Sequence, residues 1–297
     1  MLISVCICTL KRSSVIGTLD SIAGQTLPSD VEIEAIVVDN DSDRSAEGLV
    51  SAWAASAAIP VTYAVEPERN IALARNRALS LARGEKLAFI DDDEMAAPFW
   101  LSTLLAAEKR YAADVVIGRV DAIYPPDAAL WLTVADPLSR KWGPSGTVCT
   151  MGSSANALLN RKIIEAGNVG FDPAFGRTGG EDTDFFGRLS ASGAKIVVEN
   201  DAVVREWVSP DRLERAYLCR RAIRAGQSYG AVRLRQLSRA GRLLFMAATL
   251  AKALIFSICA TVLRVHARAN ALKLAIRGWL NFGKLRACAG LSLPRMY

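Results

Sequence analysis

Apolar and polar positions follow two alternating rhythms over the first 120 residues. Leu2–Thr9 is a short apolar run rich in β-branched residues and predicts a strand. Residues 13–24 have helical spacing, broken at 25–28 by Gln25 and Pro28. Residues 31–39 predict a second strand, which ends in the polar cluster Asn40-Asp41-Ser42-Asp43. Residues 46–57 predict a helix and Val61–Val65 a third strand. Asn70 is placed to cap a helix that runs to Arg83 and stops at Gly84. Lys86–Ile90 predicts a fourth strand, leading directly into Asp91-Asp92-Asp93-Glu94. Strands alternating with helices of about 10–15 residues imply a mostly parallel sheet covered by helices.

From residue 115 to 204 the pattern is mixed. Pro125-Pro126, Pro137 and Gly143-Pro144 mark loops, and residues 197–204 predict a closing strand. Gly179-Gly180-Glu181-Asp182-Thr183-Asp184 precedes an apolar helical run that starts at Phe185. The last third changes character. Residues 213–242 are helical and Arg-rich, 243–263 are apolar but for Lys252, and 267–293 are amphipathic. In that last stretch Lys273, Arg277, Lys284 and Arg286 lie along one side, with Leu272, Ile276, Trp279, Leu280 and Phe282 largely on another. Two units follow: an α/β domain over 1–210 and a helical, basic, apolar region over 211–297.

Charge sharpens that division. The 297 residues carry a net +6, but residues 205–297 hold 15 Arg and 3 Lys against Glu206, Asp211 and Glu214, a net +15. Residues 1–204 therefore carry −9. An acidic part suits a metal, and a basic one suits an anionic surface. The apolar run 243–263 matches a bilayer span of ~20 residues, with a central Lys that costs roughly 2.5–3.5 kcal/mol. The order of preference is in-plane or peripheral attachment with Lys252 reaching the headgroups, then a span, then a buried core helix. Half of the chain is apolar, enough for a sizeable core. The six cysteines form no CxxC pair and the lone His266 cannot complete a zinc set, so reduced thiols in a cytosolic protein are expected. The first strand lacks a basic leader and a cleavage site, so no signal peptide is expected.

Both N-terminal acidic clusters, at 39–43 and 91–94, lie at the carboxyl ends of predicted strands, where such sheets bind ligands. In an extended segment Asp91 and Asp93 share one side. Adjacent carboxylates repel unless a cation intervenes, and hard Mg²⁺ or Mn²⁺ prefers oxygen ligands. A solvated acidic loop is the bland alternative; at the end of the apolar strand Leu87-Ala88-Phe89-Ile90 a metal site is the better reading. Asp39 serves equally as an acceptor for a base or ribose and as a strand-end turn residue. No glycine-rich phosphate loop is present, so Arg75 or Arg77 and a metal would have to meet phosphate, although a helix-surface charge is the usual role of such Arg. Glu181-Asp182 fits an N-capping pair as well as a general base whose ionisation the helix dipole favours. Trp131, Trp142 and Met151 can stack on sugar, but such residues are more often core.

In order and spacing, Ile3-Ser4-Val5-Cys6-Ile7-Cys8-Thr9 followed by Arg12, Val37-Val38-Asp39-Asn40-Asp41-Ser42, Asn70-Ile71-Ala72-Leu73-Ala74-Arg75-Asn76, Phe89-Ile90-Asp91-Asp92-Asp93 and Gly179-Gly180-Glu181-Asp182-Thr183-Asp184 resemble glycosyltransferase family 2, of the GT-A fold. The resemblance runs over roughly residues 2–221, and the basic, apolar tail is similar to that of bacterial exopolysaccharide enzymes of the succinoglycan type. It implies an inverting transferase that moves a sugar from a nucleotide-sugar, a UDP-sugar first, to a lipid-linked or polysaccharide acceptor. Thr9 and Arg12 would line the nucleotide pocket, Asp39 bind the base and Arg75 contact the donor. Asp91 would lie near the ribose, Asp92 between, and Asp93 on a Mn²⁺ or Mg²⁺ bridging the diphosphate. Asp182 would be the catalytic base, and Glu181 would orient acceptor hydroxyls. Relatives often carry a His after the closing strand; here Val203-Val204-Arg205-Glu206-Trp207 offers Glu206 as the replacement ligand. The QxxRW signature of processive synthases is absent. A membrane surface at the cytoplasmic face is the expected partner, and nucleic acid is not. The competing readings are a metal-dependent sugar nucleotidyltransferase and a non-catalytic membrane-associated assembly protein.

Overall fold

The computed structural model describes residues 1–291. Elements run in the order β1 (Leu2–Thr9), α1 (Val15–Ala23), β2 (Glu32–Asp39), α2 (Glu47–Ala54), β3 (Val61–Val65), α3 (Ile71–Leu81) and β4 (Lys86–Ile90). Next come β5 (Glu94–Ala96), α4 (Trp100–Tyr111), β6 (Val115–Ile123), α5 (Leu130–Ala135), β7 (Val148–Cys149) and β8 (Asn156–Asn160). The chain continues through α6 (Arg161–Gly167), α7 (Glu181–Ala191), β9 (Ile196–Trp207), α8 (Arg215–Arg235), α9 (Arg239–Leu263) and α10 (Arg268–Cys288). The end of the predicted last helix, beyond residue 291, lies outside the described residues.

The strands form one sheet in the order β3-β2-β1-β4-β8-β6-β9-β5, with β7 against β9. The expected parallel arrangement holds for β3, β2, β1 and β4. Beyond β4 the sheet is mixed: β8 runs antiparallel to both β4 and β6, while β6 and β9 are parallel. Chain direction in space reverses its order between β1 and β4, and ligands bind such sheets in the crevice at that reversal.

Alternation along the strands builds a core on each face. Ile3, Val5 and Ile7 of β1 meet α1, α2 and α4 through Leu19, Val50, Trp100 and Leu104. Cys6 faces the other way, with Ala74 and Ala78 of α3 and Phe185, Phe186 and Leu189 of α7. The small alanines of α3 let that helix lie close on the sheet. Its start is fixed by Asn70, whose side chain accepts from the amides of Ala72 and Leu73.

Between β6 and β9 the register slips at Gly118/Arg119. Asn156 repairs the ladder: its amide donates to the carbonyls of Arg119 and Ala202, and its Oδ1 accepts from Trp100 Nε1 at 2.8 Å. A Cβ at residue 118 would lie 2.3 Å from this amide, so glycine is required there. Asn156→Leu strands one buried donor and two buried acceptors, and a loss of at least about 3 kcal/mol is expected in urea unfolding. A loss below about 1 kcal/mol would show that the bulge satisfies itself.

The C-terminal helices stack as α8, α10 and α9. A third apolar cluster, with Leu132, Leu138, Val208, Leu218 and Leu272, ties α8 and α10 to α5 and the end of β9. Gly226 of α8 and Gly283 of α10 lie against backbone carbonyls of the opposite helix. α9 touches its neighbour through Thr249, Ala253 and Ala260 and leaves the rest bare. Leu244, Leu254, Ile255, Ile258 and Val262 are each more than half exposed. α9 is thus no core helix. Its 25 residues are long and apolar enough to cross a membrane by length and composition.

Candidate active site

Strand register gathers the first residues. Thr9 stands opposite Asp39 in the β1–β2 pair, and Cys6 opposite Phe89 in the β1–β4 pair, so three residues on Thr9 meets Asp92. Thr9 Oγ1 donates to Asp92 Oδ2 at 2.7 Å. Arg12, in the loop after β1, donates to Asp92 Oδ1 at 2.8 Å and to Asp93 Oδ2 at 2.9 Å. Asp39 is fully buried. Its Oδ2 accepts from the Ala46 amide at 2.8 Å and from the Tyr63 hydroxyl at 2.9 Å, while Oδ1 has no partner among the described residues. Burial, together with the Asp39 carboxylate, holds the Tyr63 phenol protonated. A buried carboxylate oxygen without a donor is costly unless a ligand supplies one.

Asp91 and Asp93 do not lie in an extended segment. The chain turns directly after β4, with the Glu94 amide donating to the Asp91 carbonyl at 3.2 Å. The turn gives Asp92 and Asp93 a common guanidinium, Arg12, and sets Asp91 beside two others. There Asp91 lies 3.7 Å from Arg75 and 3.9 Å from Arg140. Burial, opposed by these two cations and reinforced by Asp93 and Asp182, pushes its carboxyl up to about 6.

Arg75 joins this cluster to the acids of α7. It projects from α3, is buried, and donates from Nη1 to Glu181 Oε1 at 2.7 Å and to Asp182 Oδ1 at 3.2 Å. The Phe171 ring lies under it at 5.5 Å. Arg77, the other candidate, is exposed on the outer side of α3. α7 begins at Glu181, ahead of the apolar run at Phe185, because Gly179 and Gly180 turn the chain with φ of 80° and 103°. Asp182 Oδ1 accepts from Ser154 Oγ at 2.7 Å; its Oδ2 accepts from Ser153 Oγ at 3.2 Å and the Ser154 amide at 3.1 Å. Glu181 Oε2 is buried without a partner among the described residues. Asp184, the last acid of the motif, points away to Arg188 and Arg235.

Glu206, the expected replacement ligand, is paired with two arginines of the protein. Its Oε2 accepts from Arg140 at 3.1 Å and its Oε1 from Arg212. Register places Glu94 opposite Glu206 across β5 and β9, and Arg140 pairs with both, reaching Glu94 Oε1 at 2.6 Å. Paired backbone hydrogen bonds with Val120 hold Arg140 there. These buried acids need a cation between them, and the protein supplies its own. Among the described residues no trio of His, Cys, Asp or Glu is gathered as a metal cage. What the cleft offers a metal is carboxylate oxygen from Asp93 and Asp91. That fits Mg²⁺ or Mn²⁺, which take one or two carboxylates and fill the shell with water and phosphate.

The residues missed in the sequence are Ser153, Ser154, Arg140, Arg212 and Tyr63. None lies in a motif; each is brought to the site by a loop or a neighbouring strand. Trp142 is half-buried and packs against the core.

Sheet and site define an α/β protein with buried acids and arginines gathered at the carboxyl ends of its parallel strands. A family model for glycosyl transferase family 2 matches residues 4–167. The succinoglycan biosynthesis protein ExoM of Rhizobium meliloti (strain 1021) is 33% identical over 297 residues, covering 99% of this chain and 95% of that protein. A validoxylamine A glucosyltransferase of Streptomyces hygroscopicus subsp. jinggangensis (strain 5008) is 27% identical over 68% of this chain and 54% of its own length. Among solved structures, the mannosyltransferase PcManGT from Pyrobaculum calidifontis, in complex with GDP-Man and Mn²⁺, has a TM-score of 0.62 at 21% identity, covering 96% of this chain and 86% of that one. S. aureus TarS 1-349 has a TM-score of 0.55 at 16% identity, covering 93% and 89%. The chain belongs to glycosyltransferase family 2, with the GT-A fold, and is a glycosyltransferase. The nucleotidyltransferase and non-catalytic readings fall with that assignment.

Proposed function

We propose that this enzyme transfers a sugar, with inversion and one residue at a time, from a nucleotide-sugar to a lipid-linked or polysaccharide acceptor in exopolysaccharide synthesis. Similarity to ExoM along nearly the whole chain supports the pathway, and a UDP-sugar is the first donor to test. One observation carries the chemistry. Arg75 lies within 3.7 Å of Asp91 and hydrogen-bonds both Glu181 and Asp182, so the strand-end acids and the α7 acids face one cleft.

The base sits at Asp39, whose free oxygen accepts from it. Thr9, Arg12 and Asp92, joined by hydrogen bonds, hold the nucleoside side, with Asp91 toward the ribose. Asp93, with Asp91, would hold Mn²⁺ or Mg²⁺, and that ion would neutralise charge on the departing diphosphate. Asp182, fixed by Ser153 and Ser154, takes the proton of the acceptor hydroxyl as its oxygen attacks the anomeric carbon. The bond to the diphosphate breaks on the opposite face, which inverts the centre. Glu181 Oε2 receives a second acceptor hydroxyl. Arg75, hydrogen-bonded to both, holds the two α7 acids in place, a role beside the donor contact expected for it.

Residues 1–210 form the catalytic unit. Residues 211–297 attach it to the cytoplasmic face of the membrane, with the bare side of α9 in the lipid and Arg residues at the headgroups. Asp93→Ala is expected to remove metal-dependent donor binding: calorimetry with a UDP-sugar and Mn²⁺ should show at least a tenfold weaker Kd, falling to the value measured with EDTA. Unchanged binding would take the metal away from Asp93.

A further inference from the structure

α9 and α10 double back on each other at residues 264–267, and the angle between them holds a cavity of about 750 Å³. Its apolar wall includes Ala260, Val265 and Leu272. Trp131 of α5 and Trp279 of α10 flank it, and Arg215, Arg264 and Arg268 project to it. No acid lines it. The Arg215 guanidinium lies 5.7 Å over the Trp279 ring, and Arg264 and Arg268 form no ion pair among the described residues. Uncompensated cations beside an apolar wall call for a ligand with an anionic head and a hydrocarbon body. Around the cavity Leu130 and Val265 are 77% and 78% exposed, and the bare face of α9 runs on from it. Indole rings and Arg side chains in one ring are the composition of a membrane interface.

We propose that this cavity binds the phosphate headgroup of an anionic membrane lipid between Arg215, Arg264 and Arg268, with the hydrocarbon lying along α9. A free phosphate would find the same cations but gain nothing from the indoles and the apolar wall. The proposal rests on the membrane attachment proposed above. It has a consequence for the cleft. α5, which carries Trp131 to the cavity, leads into the loop that carries Arg140 to Asp91, Glu94 and Glu206, and Arg221 of α8 donates to the Pro137 carbonyl of that loop. Lipid site and acid cleft thus share one short segment.

The test uses the full chain and dihexanoyl phosphatidylglycerol below its micellar concentration, followed by tryptophan emission and calorimetry. Saturable binding is expected, at least tenfold tighter than for the choline analogue and not displaced by millimolar inorganic phosphate. Arg264→Gln with Arg268→Gln should weaken it at least tenfold, and Trp131→Ala should weaken it too. Arg233→Gln with Arg239→Gln removes the same charge from exposed positions outside the cavity and should change it less than twofold. Equal losses in the two double variants would reduce the effect to diffuse charge and overturn the site, as would equal affinity for the choline lipid or full competition by phosphate. Flotation of the wild type on mixed phosphatidylcholine and phosphatidylglycerol vesicles reads attachment separately. Absent flotation with intact short-chain binding would fault the attachment and leave the cavity's ligand standing.

Discussion

Asp182→Asn is expected to lower turnover by roughly 10²–10⁴-fold, the range over which a positioned base acts, while the donor Kd stays within about threefold. The amide keeps the shape of the carboxylate but cannot take a proton at neutral pH. The site also tells base from scaffold. Both Asp182 oxygens accept, from Ser154 Oγ and Arg75 on one side and from Ser153 Oγ and the Ser154 amide on the other. In either orientation an asparagine sets its NH₂ against two donors; the serine hydroxyl can turn to accept, but the bond from Arg75 or from the Ser154 amide is lost, at roughly 1–3 kcal/mol of stability. That loss is too small to explain the fall in turnover. Nucleoside diphosphate release at saturating donor and acceptor reads the rate. Turnover within about threefold of the wild type would remove the base from Asp182.

The second large effect falls on stability. Arg75→Met should destabilise the fold by roughly 3–5 kcal/mol, because removing one member of a buried charge cluster leaves the others uncompensated. Glu181 is buried, its Oε1 depends on Arg75, and its Oε2 has no partner among the described residues. The methionine is close to the arginine stem in volume but gives up the guanidinium's place 5.5 Å over the Phe171 ring, so the loss reports charge more than volume. Adding Glu181→Gln to Arg75→Met should return at least about 1 kcal/mol, since a neutral amide tolerates the site better. Urea unfolding of wild type, both single variants and the double variant closes the cycle. A single-variant loss below about 1 kcal/mol, or no recovery in the double, would show that Arg75 does not hold the acids.

Local rules carried the parallel half of the molecule. Leu2–Thr9, Val61–Val65 and Lys86–Ile90 have the bounds their apolar runs predict, and Asn70 caps α3 as its side chain allows. The acids at 39 and 91–93 follow from strand ends, a property of position along the chain. What stayed hidden was long-range. Nothing around Arg140 says that a bridge to Val120 will lay it between Glu94 and Glu206, and nothing in Gly152-Ser153-Ser154 marks the partners of Asp182. The turn at residues 91–94, which the strand pattern did not show, has a local cause. Alternation applies only while the chain stays extended, and four acidic residues at a strand end turn instead. The start of α7 was set by a similar cause: paired glycines at positive φ begin the helix four residues before its apolar face does.

Transfer chemistry in this cleft is tested most directly by incubating the purified full-length enzyme with UDP-, GDP- and dTDP-sugars, each with Mn²⁺ and with EDTA. Nucleoside diphosphate release is then followed by chromatography. One donor class should be slowly cleaved, only with metal, and with the released sugar in the anomeric configuration opposite to that of the donor. No release from any donor with metal present, or release that EDTA leaves unchanged, would contradict a metal held at Asp93 opposite a base at Asp182.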